Sequence, residues 1–457
     1  MVLTLVVLQS ISFSNYALTT KTTNIIYGSA PYLTFDGGRT RVTNTEALLG
    51  ISLSDGRRFT PTTNNSSSTN PIELPVVGQS FNDIGMLVPT DTNSIALSSL
   101  IGTPYNYWGD DDGDGQGVNG VTATGSLYLS IADKIGRTVA RNEVPTICDN
   151  NKAPYKLTLS NSEGRLTTRY GVPNESRFGA GRAIYYIKPN QTPTVCYARL
   201  QVDWGRGLSN AVWNAYRGFL PQSFTPSSYG LNFPTTGSNN LYFDLIIAGT
   251  NQALSWAPVS HGGITATMTD STSTSVRVTL TGPVVTDPNQ WDSDNPDEID
   301  KPSLSQVFEL VGRDSRGNAV VKYGFELKQW FVSRGNAWGT NSSMESWCNK
   351  IGGYRMPKVR DLTNANCQGW CQSATPSSPD NEYRRHIGGG FFTEWGPVSH
   401  YTGSSFHITG GYYWTGEYDY MHSVFNAVYE NTGAIVLAGG LNPPNGVRRA
   451  AGVCVYP

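Results

Sequence analysis

The chain has 457 residues, of which 15% are charged, with a formal net charge of -2, 49 glycines and 6 cysteines. That length exceeds a single core and implies about two to four modules, and the charge is spread without the basic stripe that a nucleic-acid binder carries. Low charge with abundant Gly, Thr, Ser, Asn and Tyr suits an extracellular β-rich protein better than a cytosolic enzyme.

Residues 1–17 open on the apolar run Val2-Leu3-Thr4-Leu5-Val6-Val7-Leu8, which reads as a signal-like segment although no Lys or Arg precedes it. A first β-strand is the other reading. No other run has the length needed to span a bilayer. Region 18–210 reads as β-rich, with strands predicted at 94–97, 125–131, 183–187 and 195–200 from short β-branched and aromatic runs. The polar stretch 60–70 has no periodicity and reads as a linker-like loop. Residues 205–238, rich in Gly, Pro, Ser and Asn, form the candidate junction to a second module, 211–335. There, alternating runs at 241–247 and 275–280 and a strand pair around the Arg316-Gly317-Asn318 turn predict a β-sandwich.

The last module, 336–457, is predicted to be α+β. Ser342 and Glu345 stand in capping-box relation at the start of a helix carrying Cys348, and Gly352-Gly353 end it. Pro357 reads as the first residue of a second short helix through Leu362. Strands are predicted at 411–415, 423–429, 433–437 and 451–455.

Six cysteines permit many pairings. The module boundaries favour Cys148 with Cys196, Cys348 with Cys454 and Cys367 with Cys371. Asp110, Asp112 and Asp114 have the alternate spacing that opens a calcium loop, but Val121 stands where an EF-hand needs its bidentate glutamate. The favoured reading is a solvated turn whose carboxylates bond nearby amides. Calcium at these aspartates is the one cofactor considered; otherwise none is expected. The long loop 364–410 holds Asp380, Glu382, Tyr383, Arg384, Arg385, Trp395 and Tyr401, and a loop with aromatic and arginine anchors is the usual composition of a recognition surface. Tyr412, Tyr413 and Trp414, on a strand, are expected in the core. The histidines are few, and no G-x-S-x-G or H-E-x-x-H pattern occurs, so no turnover is expected.

The run Trp347-Cys348-Asn349-Lys350-Ile351-Gly352-Gly353-Tyr354-Arg355-Met356-Pro357, followed by Gly411-Tyr412-Tyr413-Trp414-Thr415 and the closing Val453-Cys454-Val455, resembles the C-type-lectin-like module that ends invasin and intimin-type enterobacterial adhesins. Residues 308–332 are similar to the immunoglobulin-like strands before that module, and 26–204 to the adhesion domain of the same group. The resemblance implies a mainly β, multi-module fold with immunoglobulin-like sandwiches and a C-terminal C-type-lectin-like module. It also implies an extracellular adhesin at the surface of a Gram-negative bacterium, recognising a host or bacterial cell-surface protein or glycan. The calcium and sugar triplets of animal C-type lectins and an R-G-D tripeptide are absent from the sequence. The alternatives are a self-associating surface fibre or plasmid-encoded cell-contact protein, and a secreted carbohydrate-active enzyme, which a paired-carboxylate cleft would mark.

Overall fold

The computed structural model describes residues 27–113, 120–149, 152–190, 192–202, 205–439 and 447–457; the signal-like segment 1–17 and Asp114 lie outside the described residues. The chain is mainly β and carries several sheets. It divides into two compact units, Met1–Asn190 and Gln191–Pro457.

In the first unit a five-stranded sheet runs in the order Ile72–Glu73, Gly181–Lys188, Tyr155–Asn161, Ser126–Ala132, Ser94–Ala96. Period-two alternation explains its register: Leu127, Leu129 and Ile131 turn inward while Tyr128 and Ser130 stay exposed. Tyr155, Leu157, Leu159, Tyr185 and Ile187, on the neighbouring strands of the same sheet, add to that core. The polar stretch 60–70 is not a linker. Asn64 donates its amide to the Ile184 carbonyl at 2.6 Å, and the Ser66 hydroxyl accepts from the Tyr186 N–H at 3.0 Å, so side chains bond the Gly181–Lys188 strand where a neighbouring strand's backbone would.

The second unit combines three sheets over one apolar core that runs from Val195 to Val455. Seven strands lie in the order Trp213–Asn214, Gly218–Phe219, Thr194–Leu200, Tyr242–Ala248, Ser275–Thr281, Ile264–Thr269, Val259–His261. A second sheet pairs Ser255–Trp256, Gln306–Arg313 and Ala319–Leu327, and together the two form the sandwich region. The third sheet has the order Thr236–Ser238, Gln329–Gly339, Ala450–Tyr456, Tyr412–Asp419, Val424–Tyr429, Ile435–Ala438. The candidate junction 205–238 therefore belongs to the fold, its last residues adding a parallel strand beside Gln329–Phe331. The position 335/336 falls inside the continuous strand Gln329–Gly339, almost wholly buried because it is covered on both faces. Gly335, at φ +61, lies where the register with the closing strand is interrupted between Ser333 and Trp338, and a Cβ there would lie 2.1 Å from the Trp291 ring, so only glycine fits.

The helix Asn341–Lys350 starts earlier than the Ser342/Glu345 pattern implies. Its cap is Thr340, whose hydroxyl accepts from the Ser343 N–H. The second helix, Val359–Leu362, is capped at Lys358, and Pro357 stands just before that cap. Cys348 is bonded to Cys454, tying this helix to the closing strand with Cα atoms 5.4 Å apart, and Cys367 is bonded to Cys371. Cys148 and Cys196 are each in a disulfide too.

Candidate functional site

The loop that composition marks for recognition turns its largest side chains inward. Tyr383, Arg385, Trp395 and Tyr401 are 5%, 0%, 0% and 2% exposed. The expectation that these four meet a partner is corrected by that burial: they join the loop to the sandwich. Phe391–Trp395 is a short helix with every residue buried, entered and left through Gly390 and Gly396 at positive φ. Trp395 packs against Phe233 and Phe243, with centroids 4.9 and 6.2 Å away, and donates its indole N–H to the Thr236 carbonyl at 3.0 Å. Tyr401 meets Tyr242 edge-on at 5.3 Å and donates its hydroxyl to the Trp395 carbonyl.

Beside Trp395, Glu394 is fully buried. Five donors converge on its carboxylate: the N–H and hydroxyl of Thr235, the N–H and hydroxyl of Thr236, and the Gly388 N–H, at 2.6 to 3.2 Å. Burial pushes the Glu394 carboxyl above the usual glutamate range, and those hydrogen bonds oppose the shift. Arg385 lies across the faces of Trp213 and Tyr383, each 5.1 Å from the guanidinium. It donates to the Glu394 carbonyl at 2.9 Å and the Val202 carbonyl at 3.2 Å. Its backbone N–H also bonds the Arg206 carbonyl, so loop and sandwich are laced together through side chain and main chain.

Of the remaining loop candidates, Glu382 is exposed, and Asp380 is half-exposed and ion-paired to Arg384, whose side chain is mostly covered. These stand apart from the four buried residues as a polar rim. In the described part of the acidic loop the carboxylates reach groups distant in sequence: Asp112 accepts from the Ser29 N–H at 2.7 Å, and Asp111 takes a hydrogen bond from the Tyr32 hydroxyl and pairs with Arg41. Asp110 lies near its start, half-buried, and the described residues contain no group of three or more potential metal-ligating side chains.

A different surface was missed by reading the loop alone. The turn between the strands Tyr412–Asp419 and Val424–Tyr429 presents Tyr420 and Met421, 87% and 83% exposed, beside the partly exposed Tyr418. Tyr418 meets Tyr420 at 5.1 Å and Phe425 at 4.9 Å, both edge-on. Beneath them Asp419, side chain nearly buried, accepts from the Met421 and His422 N–H groups and pairs with the His422 ring at 3.0 Å. The His422 hydrogen bond holds the Asp419 carboxyl below its usual value. The tip is thus an organised turn with large apolar groups facing water. The sequence signal for it is Tyr418-Asp419-Tyr420-Met421, since hairpin turns ordinarily carry small polar residues.

The class these observations define is a mainly β, disulfide-clasped protein whose second unit fuses a sandwich to an α+β terminal region. No protein-family model matches the chain, and no curated protein matches it. Among solved structures it is similar to invasin, described as a bacterial integrin-binding protein, at 15% identity and a TM-score of 0.35, covering 75% of this chain and 52% of that one. The chain thus spans about half the length of that invasin structure. It is also similar to a C-terminal fragment of intimin in complex with the intimin-binding domain of the translocated intimin receptor, at 12% identity and a TM-score of 0.32, covering 74% and 93%. A third similarity is to an intimin mutant from EHEC O157:H7, at 14% identity and a TM-score of 0.28, covering 49% and 89%. The fibre and carbohydrate-active-enzyme alternatives gain no support from these comparisons.

Proposed function

We propose that this chain is an extracellular bacterial adhesin that binds a cell-surface protein through the Tyr418–Tyr420–Met421 tip of its C-terminal unit, without turnover. The observation that carries the reading is the exposure of those three side chains on a turn fixed from below by Asp419. Large apolar groups held rigidly in water lose little conformational entropy when covered, which is how aromatic anchors contribute to binding. The rest of the unit supports the same use. A disulfide clasp, a shared core and the buried Glu394–Trp395 joint make a stiff arm that carries the tip. An oxidising, extracellular setting fits a chain whose cysteines are all bonded.

The test is attachment of the purified chain to a panel of host and bacterial cells, compared with Tyr420→Ala and Met421→Ala. Each variant should weaken attachment by more than about 1 kcal/mol, the level that separates anchors from bystanders. Unchanged attachment in both, with the fold intact by circular dichroism, rejects the tip as the binding surface. Self-association that depends on the same residues would make this a homotypic surface instead.

A further inference from the structure

Within the second unit, a cleft of about 520 Å3 opens where the sandwich region meets the loop 399–407. We infer that this cleft is a binding site for a neutral saccharide, with a pyranose ring laid against Trp291 and its hydroxyls read by Asn239, Asn240 and the hydroxyls of Thr402 and Ser405. It lies outside the Tyr418–Met421 tip and rests on a separate set of observations.

The first is how the aromatic wall is held. Trp291 donates its indole N–H to the Val285 carbonyl at 3.1 Å, and its ring covers the backbone at Gly335, where no side chain fits. His407 leans on the same ring at 5.4 Å with a 42° tilt and is exposed. A flat, fixed aromatic edge thus borders the cleft and is half-covered, half open to water.

The second is the polar complement. Asn239 accepts from the Gly282 N–H at 3.1 Å through its side-chain oxygen, which leaves its NH2 group without a partner among the described residues. Asn240 is the reverse case: its NH2 donates to the Gly403 carbonyl at 2.9 Å, bridging the two walls, and its oxygen is left to accept. The Thr402 and Ser405 hydroxyls line the same cleft and make no hydrogen bond within the described residues. A donor, an acceptor and two groups that do both therefore line the same cleft as the aromatic wall.

The third is charge. Among the described residues no Asp, Glu, Lys or Arg lines the cleft and its basic side chain is His407, so no permanent cation is there to hold a phosphate or carboxylate and no anion to hold an amine. The volume falls within the roughly 300–1,000 Å3 of small-molecule sites. A sugar ring matches this lining because it has one face of C–H groups and a rim of neutral hydroxyls. A fatty chain would leave the amides and hydroxyls unpaired.

The experiment uses the full chain and a panel of methyl glucosides, galactosides, mannosides and N-acetylhexosaminides, with sialic acid and a nucleoside as controls. Binding is read by saturation-transfer NMR and by tryptophan fluorescence. At least one neutral pyranoside should saturate at millimolar concentration or below, and Trp291→Ala and Ser405→Ala should each weaken it tenfold or more. Trp291 also packs on Gly335, so Asn239→Asp serves as the fold-preserving variant: it keeps the oxygen that accepts from Gly282 and removes the donor to the ligand. No saturable neutral sugar, tighter binding of the charged or nucleoside control, or full sugar affinity in both Ser405→Ala and Asn239→Asp would overturn the assignment. Tyr420→Ala should leave sugar binding unchanged, so failure of this site and failure of the tip read out separately.

Discussion

Trp395→Ala tests whether the long loop is a joint or a contact surface. The residue is fully buried, touches Phe233 and Phe243 of the sandwich region, and bonds the Thr236 carbonyl. Removing a buried tryptophan costs about 3–5 kcal/mol through lost burial and the residual cavity, and the orphaned Thr236 carbonyl adds about 1 kcal/mol. At roughly 2–4 °C per kcal/mol for a unit of this size, the expected fall in melting temperature is about 10–20 °C. Because the core runs without a break from Val195 to Val455, the whole second unit should melt earlier as one transition in scanning calorimetry. Two results would refute the reasoning. One is a loss below about 2 °C, smaller than a single kcal/mol predicts. The other is a split transition in which the sandwich keeps its wild-type melting temperature. Trp338→Ala, at a residue 42% exposed on the adjoining strand, is the control and should cost far less.

Replacing Cys348 and Cys454 together by Ala should lower stability by about 2–5 kcal/mol, and the shared core spreads that loss to the sandwich; destabilisation confined to residues after 335 in hydrogen exchange would contradict this. Burial holds Glu394, Glu417 and Glu430 above the usual glutamate range, so the folded unit binds protons that the unfolded chain does not. Stability should therefore rise as pH falls from about 7 towards about 5, the relief being complete only below the unfolded glutamate value. Glu309, Asp314 and Asp419 are lowered chiefly by hydrogen bonds from Lys322, Asn318 and His422, and their contribution is lost only at lower pH, as it falls through their depressed values. Urea denaturation at the two pH values checks the sign, and a weaker unit at the lower one would oppose it. Tyr420→Ala and Met421→Ala should change stability by no more than about 0.5 kcal/mol, as surface substitutions do, and a larger loss would mean that the tip is packed rather than presented.

Much of the architecture is legible in the sequence, because strand formation is written in local alternation. The inward set Leu127, Leu129 and Ile131 and the paired strands either side of Arg316-Gly317-Asn318 follow from neighbours a few residues away. The helix bearing Cys348 and the strand bearing Cys454 are equally local, and Tyr413 and Trp414 read correctly as core for the same reason. Burial of a loop residue is not a local property. Trp395 and Arg385 have the composition of a recognition surface, and what puts them inside is contact with Thr236 and Val202, 159 and 183 residues earlier. Glu394 looks like a surface carboxylate until Thr235, Thr236 and Gly388 surround it. The stretches 60–70 and 205–238 mislead in the opposite direction. They are polar because their side chains and main chain supply hydrogen bonds to strands distant in sequence, and polarity alone cannot separate that from solvation. The tip residues Tyr418, Tyr420 and Met421 are apolar enough to be taken for core, and only the path of the chain through the third sheet leaves them in water.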